Sequence, residues 1–294
     1  MTRHFLRDDD ISTAEQTEIL DLALALKADR WSEKPLAGPQ TVAVIFDKSS
    51  TRTRVSFAVG IANLGGKETP QDTARVLERM VSAIVWRTYA QKGLEQMAEN
   101  TRVPVVNALS DDFHPCQLLA DLLTIREKKG TLAGLTVTFL GDGRSNMGQS
   151  YLLACAVAGM HVRVASPESY APDAAVVADA DAIAAKTGGS ATLFTDPFES
   201  VAGADIVVTD TWVSMGKEDE KAHRVATFGH YQVTSELMAL AKPDALFLHC
   251  LPADRGYEVT AEVIDGPQSV IWDEAENRLH AQKALLVWLL GKAA

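Results

Sequence analysis

Hydroxyl and guanidinium side chains are concentrated in one short segment whose residue types suit phosphate binding. Ser50-Thr51-Arg52-Thr53-Arg54 follows an apolar run, 41–46, and overlaps the start of a helix-like apolar pattern over 51–64. A helix N-terminus after a strand exposes backbone N–H groups, and the helix dipole there favours an anion. Arginine forks add bidentate contacts to phosphate oxygens. The spacing is not that of a Walker loop, and the alternative is a capped helix with surface arginines.

Other polar side chains follow predicted strands, where a parallel sheet presents its ligand groups. Arg87 follows a strand at 82–86. His114 and Gln117 lie one helical turn apart, so together they can donate hydrogen bonds to a carbonyl oxygen. Asp210 follows a strand at 205–209, and its carboxylate suits an ammonium group. Each residue taken singly is equally compatible with a structural role.

Two further motifs have competing interpretations. The turn Gly141-Asp142-Gly143 has the spacing Gly-x-Gly-x4-Gly, a poor match to a dinucleotide site, so a polar turn that carries Asn146 toward a substrate is favoured. Cys250 follows an apolar strand at 244–248 and is flanked by His249 and Pro252. A buried, inert thiol is the usual interpretation, because a nucleophilic thiol needs a base and a lowered pKa.

These residues are positioned by an alternation of strands and helices, which indicates an α/β fold with two domains. Each domain is expected to have a mainly parallel sheet flanked by helices, and interdomain helices are expected to link them. The expected boundaries are 1–130 and 131–273, with the last helix, 274–294, packing back on the first domain. Strands are predicted at 41–46, 82–86, 103–106, 135–140, 161–165, 191–195, 205–209, 244–248 and 269–272. Helices are predicted at 12–29, 51–64, 70–80, 91–99, 115–128, 146–158, 172–187, 198–202, 234–241 and 274–291.

The bulk composition is that of a soluble globular protein. The 294 residues are 47% hydrophobic and 23% charged, and the net charge of −11 argues against a nucleic-acid partner. No apolar run reaches the ~18 residues of a membrane span, and the N-terminus has no signal-peptide core. The three cysteines suggest neither a disulfide framework nor a zinc site. We therefore expect a cytoplasmic protein without a membrane partner.

Taken together and in order, the motifs resemble those of the ornithine carbamoyltransferases over almost the full length of the chain. This group lies within the aspartate/ornithine carbamoyltransferase family. Any one of these motifs can arise by chance, whereas the whole ordered set is specific. The matching segments are Ser50-Thr51-Arg52-Thr53-Arg54, Arg87, His114-Pro115-Cys116-Gln117, Asp210-Thr211-Trp212-Val213-Ser214-Met215-Gly216, His249-Cys250-Leu251-Pro252 and Arg278.

The resemblance implies that the δ-amino group of ornithine attacks the carbonyl carbon of carbamoyl phosphate, so that citrulline and phosphate leave. It implies no cofactor and no metal, a role in arginine synthesis, and a homotrimer with active sites at subunit interfaces. The implied catalytic residues are Arg87, His114, Cys250 and Arg278. The implied carbamoyl-phosphate ligands are Ser50, Thr51, Arg52, Thr53, Arg87, His114, Gln117, Cys250, Leu251 and Arg278. The implied ornithine ligands are Asn146, Asp210, Ser214 and Met215.

Three departures from the family pattern leave alternatives open. Ser145 stands where the family usually has an asparagine, and Asp254 stands where a basic residue or histidine is common. After Gly66 the family has a strand and a loop that reaches a neighbouring subunit's active site, and this segment is absent. Either the printed sequence omits it or the protein has truly lost it, and an intact mass of 31.7 kDa would exclude the omission. The alternative functions are a carbamoyltransferase for putrescine or N-acetylornithine, or a non-catalytic subunit.

Overall fold

Parallel strands form two separate sheets. The computed structural model describes residues 2–37, 41–46, 69–213 and 218–292. Strands β1 (Val42–Phe46), β2 (Ala83–Arg87) and β3 (Val105–Leu109) form a sheet in that order. Strands β4 (Thr136–Leu140), β5 (His161–Ala165), β6 (Ser190–Phe194), β7 (Ile206–Thr209) and β8 (Leu246–Leu248) form the second, in the order β6-β5-β4-β7-β8. Neighbouring strands pair in parallel throughout, which confirms the predicted two-domain α/β class.

Helices connect these strands, and most of the predicted ones are observed within a few residues of their expected bounds. In the described part of the chain, none of them is long and apolar enough to span a bilayer. The α-helices are α1 (Thr13–Ala28), α2 (Pro70–Leu77), α3 (Gln91–Glu99), α4 (Pro115–Lys129), α5 (Asn146–Val157), α6 (Ala174–Thr187), α7 (Pro197–Val201), α8 (Lys221–Phe228), α9 (Ser235–Met238), α10 (Ala261–Ile264) and α11 (Ile271–Lys292).

Helix α4 is the central element of the fold. Pro115 occupies its first turn, where a missing N–H costs nothing, and Gly130 ends it in the left-handed conformation with φ 78°. Every residue from 115 to 125 is buried, and each fully buried leucine among them contributes about 2 kcal/mol. The helix is therefore a core element, and it packs against β3, α1, α5 and α11.

The last helix, α11, packs against α1 and α4. Trp288 Nε1 donates a hydrogen bond to Glu18 (3.0 Å) on α1, and Asn277 Nδ2 donates one to Thr124 Oγ1 (2.9 Å) on α4. One continuous apolar core runs through α1, α4, α5 and α11 onto one face of the second sheet. This core fixes α11, and hence the side chains of its first two turns, relative to the ends of β7 and β8.

Two strand predictions need correction. The strand predicted at 103–106 is observed at Val105–Leu109, so Asn107 is a buried strand residue whose Nδ2 donates to the Leu6 carbonyl (3.0 Å). The strand predicted at 269–272 is wrong, because Ser269 makes only an isolated bridge to Phe247 and α11 begins at residue 271. Acidic residues in the first helical turn favour a helix start here over the β-propensity of the apolar run.

Two short helices were not predicted, and two other predictions concern residues outside the described ranges. Helices α8 and α10 were not predicted, since α10 has only four residues and α8 has no long apolar pattern. The helix expected at 51–64 and the segment after Gly66 lie outside the described residues.

Candidate active site

A cleft of about 290 Å³ lies where the carboxyl ends of the two sheets face each other. Arg87 is the last residue of β2, Asp210 follows β7, and Cys250 follows β8. Ligand sites of parallel sheets form at this edge because every strand delivers its following loop there. The cleft is lined by Arg87, Leu109, His114, Gln117, Asn146, Met147, Asp210, Thr211, Val213, Cys250, Leu251, Pro252, Asp254 and Arg278.

Two arginines face each other across one side of the cleft. Burial lowers the pKa of Arg87, and the positive charge of Arg278 lowers it further. The Arg87 Nε is buried and has no hydrogen-bond partner among the described residues. Two cations held together in this way create a strongly favourable place for an anion with several oxygens, such as a phosphate.

His114 enters the cleft from the N-terminus of α4. It is the residue before the first helical turn, and its ring is buried. Its backbone N–H donates a hydrogen bond to Ser150 Oγ (2.9 Å) on α5. The histidine is thus fixed by a contact between the two halves of the fold, beside the positive end of a helix dipole.

Gln117 has a different hydrogen-bonding role from the one expected. Its Nε2 donates to Asp121 Oδ1 (2.9 Å) and to Glu274 Oε1 (3.0 Å), so both amide hydrogens are already used. Its Oε1 is buried and has no partner among the described residues. Two carboxyl groups around the nitrogen fix the amide orientation. Gln117 therefore offers the cleft an acceptor, and the expectation that it donates to a carbonyl oxygen is wrong.

Cys250 and Asp210 form a hydrogen-bonded pair at the other side of the cleft. Cys250 Sγ donates to Asp210 Oδ1 (3.2 Å). Burial raises the pKa of the Cys250 thiol well above its usual range, and the charge of Asp210 raises it further. Burial also raises the pKa of Asp210, against the opposing effect of the Cys250 hydrogen bond. The thiol therefore keeps its proton, which makes it a donor and not a nucleophile.

His249 fixes the loop that carries Cys250. Its Nδ1 accepts a hydrogen bond from the Leu251 N–H (2.9 Å), so its proton lies on Nε2, which faces Glu258 Oε1 at 3.3 Å. Leu251 has a φ of 55°, a strained value for a non-glycine residue that this contact helps to hold. Ligand atoms of Asp210, His249 and Cys250 lie within 4.8 Å of one another. Because both ring nitrogens and the thiol already have hydrogen-bond partners, the cluster is better suited to positioning the loop than to holding a metal.

The second half of the fold contributes Asn146 from the first turn of α5. Its Nδ2 donates to the Ser110 carbonyl (2.8 Å), which leaves its side-chain oxygen for the cleft. Ser145 caps the same helix by accepting from the Gly148 N–H (3.2 Å), a role that asparagine fills equally well. The serine at this position therefore preserves the local structure.

A buried arginine supports the segment after β7. Arg224 Nη1 donates to Asp142 Oδ2 (2.9 Å) and to the Trp212 carbonyl (2.9 Å), and its Nε donates to Glu220. Through these bonds Arg224 links the turn after β4 to the residues that follow Asp210. The sequence analysis did not identify it, because α8 was not predicted and Asp142 is 82 residues away in the chain.

All the expected site residues within the described ranges line the cleft. The remaining expected residues lie outside those ranges. Arg87, His114, Gln117, Asn146, Asp210, Cys250, Leu251 and Arg278 all line the cleft. Ser50, Thr51, Arg52, Thr53, Ser214 and Met215 lie outside the described residues. Asp121 and Glu274 were not expected. The sequence feature that could have identified Asp121 is its position as the single charged residue in the apolar run of α4, residues 118–123.

Comparisons with known proteins place this cleft in context. A family model described as "Aspartate/ornithine carbamoyltransferase, carbamoyl-P binding domain" matches residues 3–127, and one described as "Aspartate/ornithine carbamoyltransferase, Asp/Orn binding domain" matches residues 133–289. An ornithine carbamoyltransferase from Clavibacter sepedonicus is 73% identical over 304 residues, covering 99% of each chain. That alignment is ten positions longer than this chain of 294 residues, so the relative has residues without a counterpart here.

Solved structures share the fold over the whole chain. The ornithine carbamoyltransferase from Pyrococcus furiosus superposes with a TM-score of 0.89 at 46% identity, covering 98% of this chain and 97% of that one. An acetylornithine transcarbamylase complexed with acetylcitrulline superposes with a TM-score of 0.81 at 31% identity, covering 97% and 98%. The lower identity to the acetylornithine protein favours the ornithine type.

Proposed function

Because the chain belongs to the aspartate/ornithine carbamoyltransferase family, we propose that it transfers the carbamoyl group of carbamoyl phosphate to the δ-amino group of L-ornithine. The products are L-citrulline and phosphate. The observation that carries this proposal is the joint presence, in one cleft, of the Arg87 and Arg278 pair and of the buried Asp210 and Cys250 pair. The first pair suits a phosphate and the second suits an amine.

Carbamoyl phosphate is assigned to the side of the cleft that carries the arginines. Arg87 and Arg278 bind its phosphate oxygens, together with the hydroxyl and guanidinium side chains of residues 50–53. His114 lies beside the carbonyl oxygen, where a positive helix end stabilises developing negative charge. Gln117 Oε1 accepts a hydrogen bond from the carbamoyl NH₂, since it is the free polar atom of that side chain.

Ornithine is assigned to the opposite side of the cleft. Asp210 and Cys250 hold the δ-nitrogen against the carbonyl carbon, while Asn146, Ser214 and Met215 bind the α-amino acid end. A free alkylammonium group has a pKa of ~10.4, so the nitrogen must lose a proton before it can attack. A buried carboxyl group beside it is suited to orient the neutral amine.

The reaction then proceeds through addition and elimination at the carbamoyl carbon. The δ-nitrogen lone pair forms the new C–N bond as the C=O electrons move to oxygen. The tetrahedral oxyanion faces the Arg87 side of the cleft, where preorganised charge lowers the barrier. As the oxyanion electrons re-form the C=O bond, the C–O bond to phosphate breaks. The new C–N nitrogen loses its extra proton to the departing phosphate, whose remaining charge stays paired with the two arginines.

We also propose the domain assignment and the cellular context that the family resemblance implies. Residues 1–130 form the carbamoyl-phosphate unit and 131–273 the ornithine unit. The family models match residues 3–127 and 133–289, which supports the boundary near residue 130. The contacts of α11 with α1 and α4 support packing of 274–294 on the first unit. The protein is proposed to act in arginine biosynthesis in the cytoplasm as a homotrimer with active sites at subunit interfaces.

An amine panel tests the proposed reaction. Purified protein is incubated with carbamoyl phosphate and L-ornithine, N-acetylornithine, putrescine or L-aspartate, and phosphate release and the carbamoylated product are measured. We expect citrulline to form far faster than any other product. Equal or faster turnover of another amine would contradict the substrate assignment, and absence of turnover with all four would contradict catalysis. The intact mass of the same sample shows whether residues are present beyond the printed sequence.

A further inference from the structure

The free side-chain oxygen of Gln117 depends on two buried acids outside the cleft lining. Asp121 lies one turn further along α4, and Glu274 lies in the first turn of α11. Both are almost completely buried. They accept the two Nε2 hydrogens of Gln117 at 2.9 and 3.0 Å. A reversed amide would place its oxygen against these acids and its NH₂ in the cleft.

The two acids form a hydrogen-bonded pair that needs a proton. A carboxyl–carboxyl hydrogen bond joins Asp121 to Glu274, and two ionised carboxylates cannot make one. Burial raises the pKa of Asp121 to about 6 and that of Glu274 well above its ordinary value. Burial and the mutual hydrogen bond together indicate that the pair retains one proton.

Donors from other elements occupy the remaining oxygens of the pair. Tyr151 on α5 donates its hydroxyl hydrogen to Asp121 Oδ2 (2.6 Å), and the backbone N–H of His249 donates to Glu274 Oε2 (3.0 Å). Arg278 is the nearby cation, and it lowers the pKa of Asp121. The pair is therefore surrounded on all sides by α4, α5, α11 and the loop after β8, which leaves it little freedom to reorient.

We propose that Asp121 and Glu274 are the positioning pair that makes the site select an acyl phosphate bearing an NH₂ group. They do so by holding the Gln117 Oε1 toward the cleft as an acceptor. This inference rests on the proposed function. Neither acid touches the substrate, so both act through Gln117.

The chemistry predicts discrimination between two nearly isosteric ligands. Carbamoyl phosphate and acetyl phosphate differ only in having NH₂ or CH₃ on the acyl carbon. The NH₂ satisfies the buried Gln117 Oε1, whereas the CH₃ leaves it without a partner. A site built to hydrogen-bond one group strongly disfavours an analogue that lacks it. Selectivity for the amino-bearing donor should therefore fall when the amide of Gln117 is no longer fixed.

The substitution Glu274→Gln tests this directly. Gln117 faces Glu274 Oε1 and the His249 backbone N–H faces Oε2, so a glutamine, which has an NH₂ in place of one oxygen, cannot accept at both positions. By contrast, Asp121→Asn keeps an oxygen that accepts from Gln117 and an NH₂ that can face the Tyr151 hydroxyl. Asp205→Asn is a matched control, because Asp205 is also buried but accepts from the Thr136 N–H at the opposite ends of the strands.

The measured quantity is the selectivity ratio, the inhibition constant of acetyl phosphate divided by the KM of carbamoyl phosphate. We expect Glu274→Gln to lower this ratio about tenfold through weaker carbamoyl-phosphate binding, with acetyl phosphate little changed. Asp121→Asn and Asp205→Asn should keep it near the wild-type value. If Glu274→Gln does not fold, Glu274→Asp, which withdraws the carboxyl group from Gln117, should lower the ratio in the same way.

Other outcomes overturn the inference. An equal loss of affinity for both ligands would show that the pair only maintains the structure, and an unchanged ratio would show that it does not orient Gln117. Either result, obtained while the wild-type protein makes citrulline, rejects this inference alone. A wild-type protein that binds carbamoyl phosphate selectively but makes no citrulline rejects the proposed reaction instead.

Discussion

Replacement of Cys250 by alanine distinguishes a positioning thiol from a nucleophilic one. The Sγ–H donates to Asp210 Oδ1 at 3.2 Å, and burial holds the pKa of the thiol well above its usual range. A nucleophilic cysteine requires the opposite, a thiolate stabilised by a nearby cation or base. We therefore expect Cys250→Ala to remove one hydrogen bond to Asp210 and to leave the chemical route intact.

The magnitude separates the two roles. Loss of one hydrogen bond to a buried carboxyl group costs about 1–3 kcal/mol, or about 5- to 150-fold in kcat/KM. Loss of a covalent nucleophile costs about 10⁶-fold. Because the thiol is a weak donor, we expect a loss near the lower end, about tenfold in kcat/KM for ornithine.

Initial rates of citrulline formation at saturating carbamoyl phosphate measure this loss. Cys250→Ser should fall between the alanine variant and the wild type, because its hydroxyl can still donate to Asp210. Cys155→Ala is the control for removing a buried thiol away from the cleft, and it should change kcat/KM little. A loss above about 10⁴-fold in a folded Cys250→Ala protein would refute the reasoning, since no single hydrogen bond accounts for it.

Three further predictions concern the charges around the cleft and in the core. Arg87→Gln should raise the Tm of the ligand-free protein by about 2 °C by relieving repulsion with Arg278, yet should weaken carbamoyl-phosphate binding; a lower Tm in calorimetry would argue against repulsion. Arg224→Met breaks a buried network around the Trp212 carbonyl and should cost about 3 kcal/mol in urea unfolding, with a larger rise in the KM of ornithine than of carbamoyl phosphate. Burial holds the pKa of Asp8 well above its ordinary value, so the folded state retains a proton that the unfolded chain releases above pH ~4. The free energy of unfolding therefore falls by about 1.4 kcal/mol per pH unit as the pH rises toward the folded-state pKa. The advantage of Asp8→Asn over the wild type should therefore grow from pH 5 to pH 8 in denaturant titrations, and a constant difference would contradict the shift.

The order of strands and helices was predictable because the chain alternates short apolar runs with longer periodic ones. Where the alternation is interrupted, prediction failed for a physical reason. The run at 269–272 has the composition of a strand, but no partner strand extends beside it and the acids that follow favour a helix start. The predicted strand at 103–106 stops before the polar Asn107, whereas buried acceptors from distant residues satisfy its amide inside β3.

The positions of the site residues were predictable, but their hydrogen-bonding roles were not. Arg87, Asp210 and Cys250 follow strands, and the carboxyl ends of parallel strands necessarily converge at one edge of each sheet. By contrast, whether Gln117 donates or accepts depends on Asp121 and Glu274, and Glu274 is 157 residues away in the chain. A sequence motif can therefore identify which residues meet, whereas the structure is needed to assign what each one does.

A crystal structure with carbamoyl phosphate and L-norvaline tests the account most directly. Norvaline has the α-amino acid end of ornithine and lacks the δ-amine, so no transfer can occur. The account predicts phosphate oxygens on Arg87 and Arg278, the carbamoyl nitrogen within hydrogen-bond distance of Gln117 Oε1, and the end of the norvaline side chain beside Asp210. Carbamoyl phosphate bound away from the arginine pair, or turned so that its carbonyl oxygen faces Gln117, would contradict it.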